Sequence, residues 1–407
     1  MVALSLAFTI LAAALAQPVP WPQVGGDGRN SKRSDYSWKR STAPALTAVA
    51  SFPLCSALLI GAQGTMYGFG GDGYLYAVSP SGQVLWMYAW NQDPTNSATS
   101  CPLTCALNDE GTLLVATSAA GTSVIDISGS VPTYSEGISG ISPTFGLLGN
   151  MLVVASFVDD VRPNLVVVCF DGSQPADSPY TQRWSRELSV AGPRSNANVM
   201  NSETASYVML DSVAQLFALD IKTGSTLWST YLLNNTEVFT SEIACTLGVV
   251  VVSITFQFNT GGGYGRALFG VSAASGALLW KREEQSQVAG KQFAFALASE
   301  EFIYTTDGLS ISAASGNTTM LPIPLLPPPG YPPSLLLDLG GALFFTWETF
   351  LYAYDTVSGE RLFGLLWGES GWDDSALSNM AMNADGALFI GLTGKGIFAV
   401  SSGSTCK

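Results

Sequence analysis

One short string recurs along the chain and limits what it can become. It reads LYAVSPSGQVLW at 75–86, LFALDIKTGSTLW at 216–228, LFGVSAASGALLW at 268–280 and LYAYDTVSGERLF at 351–363. In each copy a glycine precedes an aromatic by four residues: Gly82 and Trp86, Gly224 and Trp228, Gly276 and Trp280, Gly359 and Phe363. Weaker copies stand at VIDISG (124–129), VVCFDG (167–172), SISAASG (310–316) and IFAVSSG (397–403). The turn glycines then fall at 82, 129, 172, 224, 276, 316, 359 and 403, which makes eight successive units. Their spacing matches the ~40–50 residues of a propeller blade and exceeds most leucine-rich and ankyrin units.

The content of each period decides the fold class. Upstream of the strong copies stand two strand-like runs joined by short turns, as in 58–78, 245–256 and 337–347, and no stretch with helical 3.6-residue spacing interrupts them. The chain is therefore expected to be all-β, an eight-bladed β-propeller of four-stranded antiparallel blades. The turn glycine takes φ > 0, as a tight hairpin between a blade's third and fourth strands requires, and its Asp, Ser or Thr neighbours bond the turn backbone. The aromatic four residues later falls on the outermost strand, where diverging blades leave room for Trp86, Trp184, Trp228 and Trp280. Near the axis the first strands crowd together, and small residues suffice at Ser56-Ala57, Phe295-Ala296 and Ser375-Ala376. The last unit stops after IFAVSS (397–402), whereas ALTAVASF (45–52) stands alone near the N-terminus. Pairing these two closes the ring and removes an exposed sheet edge.

Composition narrows the function classes. The formal net charge is −14, and the 17 basic residues are thinly spread. Phosphates find no positive face, so neither nucleic acid nor an anionic membrane is an expected partner. Histidine is absent, which removes Ser-His-Asp and Cys-His nucleophile systems and imidazole metal sites. Any chemistry would rest on carboxylates, Lys, Tyr, Cys or a bound cofactor.

Residues 2–16 form one apolar run, short for a membrane span and ending in the small-x-small pattern Ala14-Leu15-Ala16. Residues 1–16 are read as a signal peptide, with an uncleaved anchor as the alternative because the run is not preceded by Lys or Arg. Residues 17–407 are read as a single propeller domain with a lead-in at 17–44. The mature chain is expected to be a monomer without a membrane span, secreted or in the lumen of the secretory pathway.

The remaining features are read one by one. Six cysteines fit an oxidising compartment, and a disulfide is expected among Cys55, Cys101 and Cys105, the latter two spaced as a CxxxC clip. Cys169 and Cys245 lie inside apolar runs and read as buried thiols, and Cys406 has no assigned partner. The sequons at Asn234 and Asn317 are candidate glycosylation sites that also look like ordinary turns. Asp159-Asp160 and Asp373-Asp374 lack the spacing that gathers five or more oxygens around calcium, and read as solvated turns. Gly261 to Gly265 reads as a hairpin tip rather than a phosphate cradle, since no helix or P-loop lysine follows. The proline-rich run 322–333 reads as a stiff connector. Asn198, Asn201, Glu242 and Asn379 fall near predicted first strands and are places to look for an axial channel lining.

The repeat resembles that of the PQQ-repeat, or quinoprotein alcohol dehydrogenase-like, superfamily: Gly-x-hydrophobic-Tyr, then Leu-Tyr-Ala-Leu-Asp, then Thr-Gly-x-x-x-Trp. Leu216 to Trp228 matches almost completely, Gly64 to Tyr67 with Leu75 to Trp86 nearly so, and Trp21 to Gly28 is similar to the stretch that precedes the first blade. WD40 repeats are a poor rival, because no Gly-His occurs and a Trp-Asp dipeptide stands only once, at Trp372-Asp373, rather than recurring with the units. The resemblance implies one of two classes. Quinoprotein dehydrogenases hold PQQ and calcium on the axis, whereas assembly-factor members of the BamB kind use the propeller without a cofactor. The chain lacks the vicinal Cys-Cys pair of the dehydrogenases, and their calcium and base positions match no numbered residue here. The expectation is thus a scaffold that binds a protein or glycan through its loop faces, with no cofactor and no assigned catalytic or metal residue. The alternative is a PQQ- and calcium-dependent oxidoreductase of alcohols or sugars. A carboxylate-based glycosidase has little support, since no paired acids stand out.

Overall fold

A computed structural model of the chain describes residues 37–38, 44–61, 63–90, 101–102, 104–118, 121–129, 132–139, 141–157, 164–172, 181–189, 197–210, 213–233, 237–246, 248–257, 264–286, 295–297, 302–305, 308–321, 335–347, 350–366 and 377–402. The strands form eight four-stranded antiparallel sheets, each a blade, around a common axis. Blades 1 to 7 are meanders of consecutive strands covering 59–89, 104–139, 141–189, 197–231, 237–286, 295–320 and 335–366. Blade 8 takes three strands from 377–402 and its fourth from Pro44–Ala50.

Both faces of each blade are buried, and this shapes the sequence of the strands. In Val249–Gln257, the second strand of blade 5, Val250 and Val252 pack against blade 4 while Val249 and Val251 pack against blade 6. A strand covered on two sides reads as a continuous apolar run rather than an alternating one. The core is accordingly distributed over the seams between blades. Separate buried clusters fill the junctions 1–2, 2–3, 3–4, 4–5, 5–6 and 6–7, and one larger cluster joins blades 7, 8 and 1.

The recurring string builds the outer hairpin of blades 1 to 7, and in blade 8 only the third strand. Opposite the aromatic stands a small residue of the third strand: Ala77 faces Trp86, Cys169 faces Trp184, Ala218 faces Trp228, Gly270 faces Trp280 and Ala353 faces Phe363. A bulge follows each of these pairs at once and sharpens the local twist. Gly82, Gly224, Gly276, Gly316 and Gly359 all lie in the third-to-fourth turn with φ between +71° and +87° or, at Gly224, +68°. Gly129 and Gly172 are not among the left-handed glycines. Longer connections, Ile127 to Pro132 and Gly172 to Tyr180, relieve those two turns of the constraint. Gly403 lies outside the described residues.

A second reason for glycine becomes visible only across a seam. A Cβ on Gly224 would come within 2.5 Å of the Trp184 ring, on Gly276 within 2.6 Å of Trp228, and on Gly316 within 2.6 Å of Trp280. Each indole thus lies flat on the turn glycine of the following blade. Its Nε1 donates to a carbonyl in the same turn: Trp184 to Ile221 at 2.9 Å, Trp228 to Ala273 at 2.9 Å and Trp280 to Ala313 at 2.6 Å. The polar tip of each buried indole is satisfied, as burial of that group demands.

The ring closes as the sequence implies, with Pro44 opposite Ser402 and Ala50 opposite Ile397. The strand ends at Ala50 rather than at Phe52. Phe52 instead leaves the ladder to stack on Tyr76 of blade 1, with ring centroids 4.3 Å apart. Ahead of the closing strand, Trp38 of the lead-in packs on Phe344 and Phe363 of blade 7 and donates its main-chain N–H to Asp338 Oδ2 at 2.6 Å. Asp338 Oδ1 accepts from Ala342 N at 2.6 Å, so one buried carboxylate holds both a blade turn and the lead-in.

Candidate interaction surface

A meander places its first-to-second and third-to-fourth turns at one end of every blade, and its second-to-third turns and blade-to-blade crossovers at the other. At the first end one turn design recurs in several blades. Asn108, Asp338 and Asn383 each begin a first-to-second turn and accept main-chain N–H groups four residues on, with Gly111, Gly341 and Gly386 left-handed inside the turn. An Asx side chain that bonds its own turn in this way fixes a tight reversal.

The other end carries the length variation. A crossover must span three strand spacings, ~14 Å, which about five extended residues achieve. The chain between Ala89 and Thr104, between Met320 and Leu335, and between Leu366 and Leu377 is well beyond that need. The hairpins from Phe157 to Asn164 and from Gln257 to Tyr264 rise from the same end. Residues 91–100, 158–163, 258–263, 322–334 and 367–376, including Asp159-Asp160, Asp373-Asp374, Gly261 to Gly263 and the proline-rich run, lie outside the described residues, as do Asn234, Ser375-Ala376, Cys406 and residues 1–36.

The cysteines sort themselves at this end. Cys55 leads into the first strand of blade 1 and Cys101 into that of blade 2, and the two form a disulfide with Cα atoms 5.8 Å apart. The CxxxC pairing of Cys101 with Cys105 does not occur. Cys105 sits on the strand Thr104–Leu107, is buried in the 1–2 seam, and points at the Ala57 carbonyl from 3.9 Å. Burial raises its thiol to about 12, and raises that of Cys169 likewise to about 12. Cys169 and Cys245 are buried thiols outside any disulfide, in the 3–4 and 4–5 seams.

The axial candidates all lie on first strands, yet they do different work. Asn198 Nδ2 donates to Ser241 Oγ at 2.8 Å and to its carbonyl at 3.1 Å, tying blade 4 to blade 5. Asn201 is fully buried and donates to the Gly146 carbonyl of blade 3 at 2.8 Å, so it does not line a channel. Its side chain turns into the 3–4 seam because Gly146 leaves space there, the Asn201 amide lying 3.1 Å from where a Cβ would stand. Glu242 is half-buried on the first strand of blade 5, and Asn379 occupies the first strand of blade 8.

Among the described residues, no three of His, Cys, Asp and Glu gather as a metal would need, and Asn198 and Asn201 are engaged between blades. The perturbed side chains are also scattered. Burial is the leading cause that raises Tyr67, Cys105, Cys169, Tyr207 and Asp109, and they belong to several different seams and turns. No described helix is long and apolar enough to cross a membrane.

The rim of outer strands differs from blade to blade. That of blade 5 carries a charged cluster in which Glu284 binds Arg266 and Arg282, each at 2.6 Å, next to a Lys281–Glu283 pair. That of blade 1, VLWMYA (84–89), has no charge and exposes Val84, Leu85 and Met87.

Comparison with known proteins agrees with this architecture. Residues 177–321, which contain all three indole-on-glycine contacts, match the family model described as outer membrane protein assembly factor BamB. Among solved structures, the chain is similar to the crystal structure of BamB from Moraxella catarrhalis, with a TM-score of 0.57 and 12% identity, over 88% of this chain and 100% of that one. No curated protein matches the sequence significantly.

Proposed function

We propose that this eight-bladed β-propeller, whose residues 177–321 match a PQQ-repeat family model, is a non-catalytic scaffold that binds a protein partner through the face bearing its longer connections. The observation that supports this reading is the segregation of connections. One end has mostly tight, internally bonded turns, the longest connection there running from Asp171 to Thr181, while the other has several crossovers and hairpins that vary from blade to blade. Rigid blades displaying variable segments suit recognition rather than chemistry. The matched family is named for protein assembly, and a protein partner is taken over from it as part of the proposal. In this reading the chain works without a cofactor, outside the cytosol, in keeping with the apolar run at 2–16 and the Cys55–Cys101 disulfide.

The test uses the full chain with a photo-crosslinking residue placed at Thr95, between Ala89 and Thr104, or at Gln83 in the opposite face's turn. A partner from the secretory fraction is expected to crosslink from Thr95 and not from Gln83. Equal capture from both positions, or from neither, refutes the face assignment. Incubation with PQQ and calcium provides the second arm. Quinone absorbance that survives desalting, with dye-linked oxidation of alcohols or sugars, would refute the non-catalytic reading.

A further inference from the structure

Blade 6, like blade 1, has a bare outer edge. Its fourth strand, Thr318–Met320, is fully exposed and uncharged, and where the strong repeats place an aromatic it has Met320, 54% exposed. Phe302, on the second strand of the same blade, is 42% exposed. An uncharged, unpaired strand flanked by bare apolar side chains is the kind of edge that recruits other chains. Blade 5 protects its edge with the Glu284 cluster, whereas blade 6, in common with blade 1, has no charged residue on any of its four described strands, and of these two edges only that of blade 6 begins with a sequon.

Asn317 begins that edge, in the sequon Asn317-Thr318-Thr319. It follows the left-handed Gly316 in the third-to-fourth turn. Its main chain does the folding work: the N–H donates to Ser315 Oγ at 3.3 Å, and the carbonyl accepts from Ser312 N at 2.8 Å. The same slot holds Gln83, Ser225, Ala277 and Glu360 in other blades, each accepting the equivalent main-chain bond and each exposed. An amide, a hydroxyl, a methyl and a carboxylate all serve there, so the fold makes no demand on the side chain. A bulky substituent on Asn317 Nδ2 would project into solvent from the short-turn face, away from the proposed binding face.

We infer that Asn317 carries an N-linked glycan that guards the bare edge of blade 6. The inference rests on the secretory reading above. In the transfer step Asn317 Nδ2 bonds to the anomeric carbon of an oligosaccharide. The bond from that carbon to a polyprenyl diphosphate oxygen breaks, the diphosphate leaves with the electron pair, and one amide proton passes to a base on the transferring enzyme. Thr319 supplies the hydroxyl that completes the acceptor.

The full chain is expressed in a glycosylating secretory host and mapped by mass spectrometry before and after enzymatic deglycosylation in heavy-oxygen water. Asn317 is expected to convert to a labelled aspartate. Asn317→Gln and Thr319→Ala should each abolish modification of that peptide, and Thr318→Ala should retain it. The Asn317→Gln protein, otherwise folded by circular dichroism, should aggregate several-fold faster than the glycosylated chain. An unmodified Asn317 in a chain whose Cys55–Cys101 bond has formed overturns the inference and leaves the secretory reading standing. A chain kept in the cytosol with both cysteines open to alkylation refutes that reading and the modification with it. Equal aggregation of the two proteins refutes the guarding role.

Discussion

Replacing Gly224 by alanine separates the two reasons for a glycine in the outer turn. At φ = +68° a side chain costs about 1–2 kcal/mol from backbone strain alone. The added Cβ would also stand 2.5 Å from Cδ2 and Cε3 of Trp184, a rigid ring buried in the 3–4 seam. Forcing an atom into such a contact typically costs about 1–3 kcal/mol. Displacing the indole further weakens its bond to the Ile221 carbonyl, about 1 kcal/mol. Gly224→Ala should therefore destabilise by about 3–6 kcal/mol, most of it absent from a matched control. That control is Gly248→Ala: Gly248 has φ = +83° but no atom within 4 Å of its Cβ position, so only the strain of about 1–2 kcal/mol applies. Equilibrium denaturation followed by circular dichroism and tryptophan fluorescence compares the two. In a Trp184→Leu background the cost at 224 should fall toward that at 248, which a double-mutant cycle reads directly. Equal cost at 224 and 248 in the native background would refute the seam contact as an energetic element.

The other predictions concern the staples. The Cys55–Cys101 bond spans 46 residues, for which chain entropy gives a loss of about 4 kcal/mol in Cys55→Ser; under reducing conditions the difference from the native chain should vanish in the same denaturation assay. Asp338→Ala removes the acceptor for Trp38 N and Ala342 N, which should cost about 2–3 kcal/mol and open the segment before Pro44 to limited proteolysis at rates the native chain does not show. Burial pushes the Glu284 carboxyl up, but the Arg266 and Arg282 guanidiniums more than offset it and hold the group below its ordinary value. A carboxylate whose folded value is depressed adds stability above its unfolded value and loses it as pH falls through the folded one. Acid titration of thermal stability should therefore show a loss on going below the usual glutamate range that is absent from Glu284→Gln.

Much of the fold was legible because each unit carries its own turn chemistry. A turn glycine repeated eight times, four times at a fixed distance from an aromatic, reports a hairpin whose geometry is local, and local geometry is what a sequence string encodes. The closing strand was legible for a related reason: a lone strand at one end and a missing one at the other leave a single way to remove an edge. Its end was less so, since Phe52 leaves the ladder only because Tyr76 of the next blade offers a stacking partner. The candidate site was read less completely. Asn198 and Asn201 differ by three residues on one strand, yet one bridges forward to blade 5 and the other back into blade 3, and no spacing announces which neighbour an amide will face.

The sequence by itself determined the number of blades, their antiparallel strands and the position of each outer hairpin, since all of these follow from turn residues and apolar runs within one period. Only the tertiary structure decided the partnerships between periods. The glycine and tryptophan that stand four residues apart do not serve each other: Gly224 lies under Trp184 of the preceding blade, while Trp228 covers Gly276 of the next. Cys101 likewise reaches back to Cys55 rather than forward to Cys105 on the strand that follows it. The reason is geometric. A strand directs its side chains away from its own sheet, so the contacts that hold a propeller together form between units that no local pattern links.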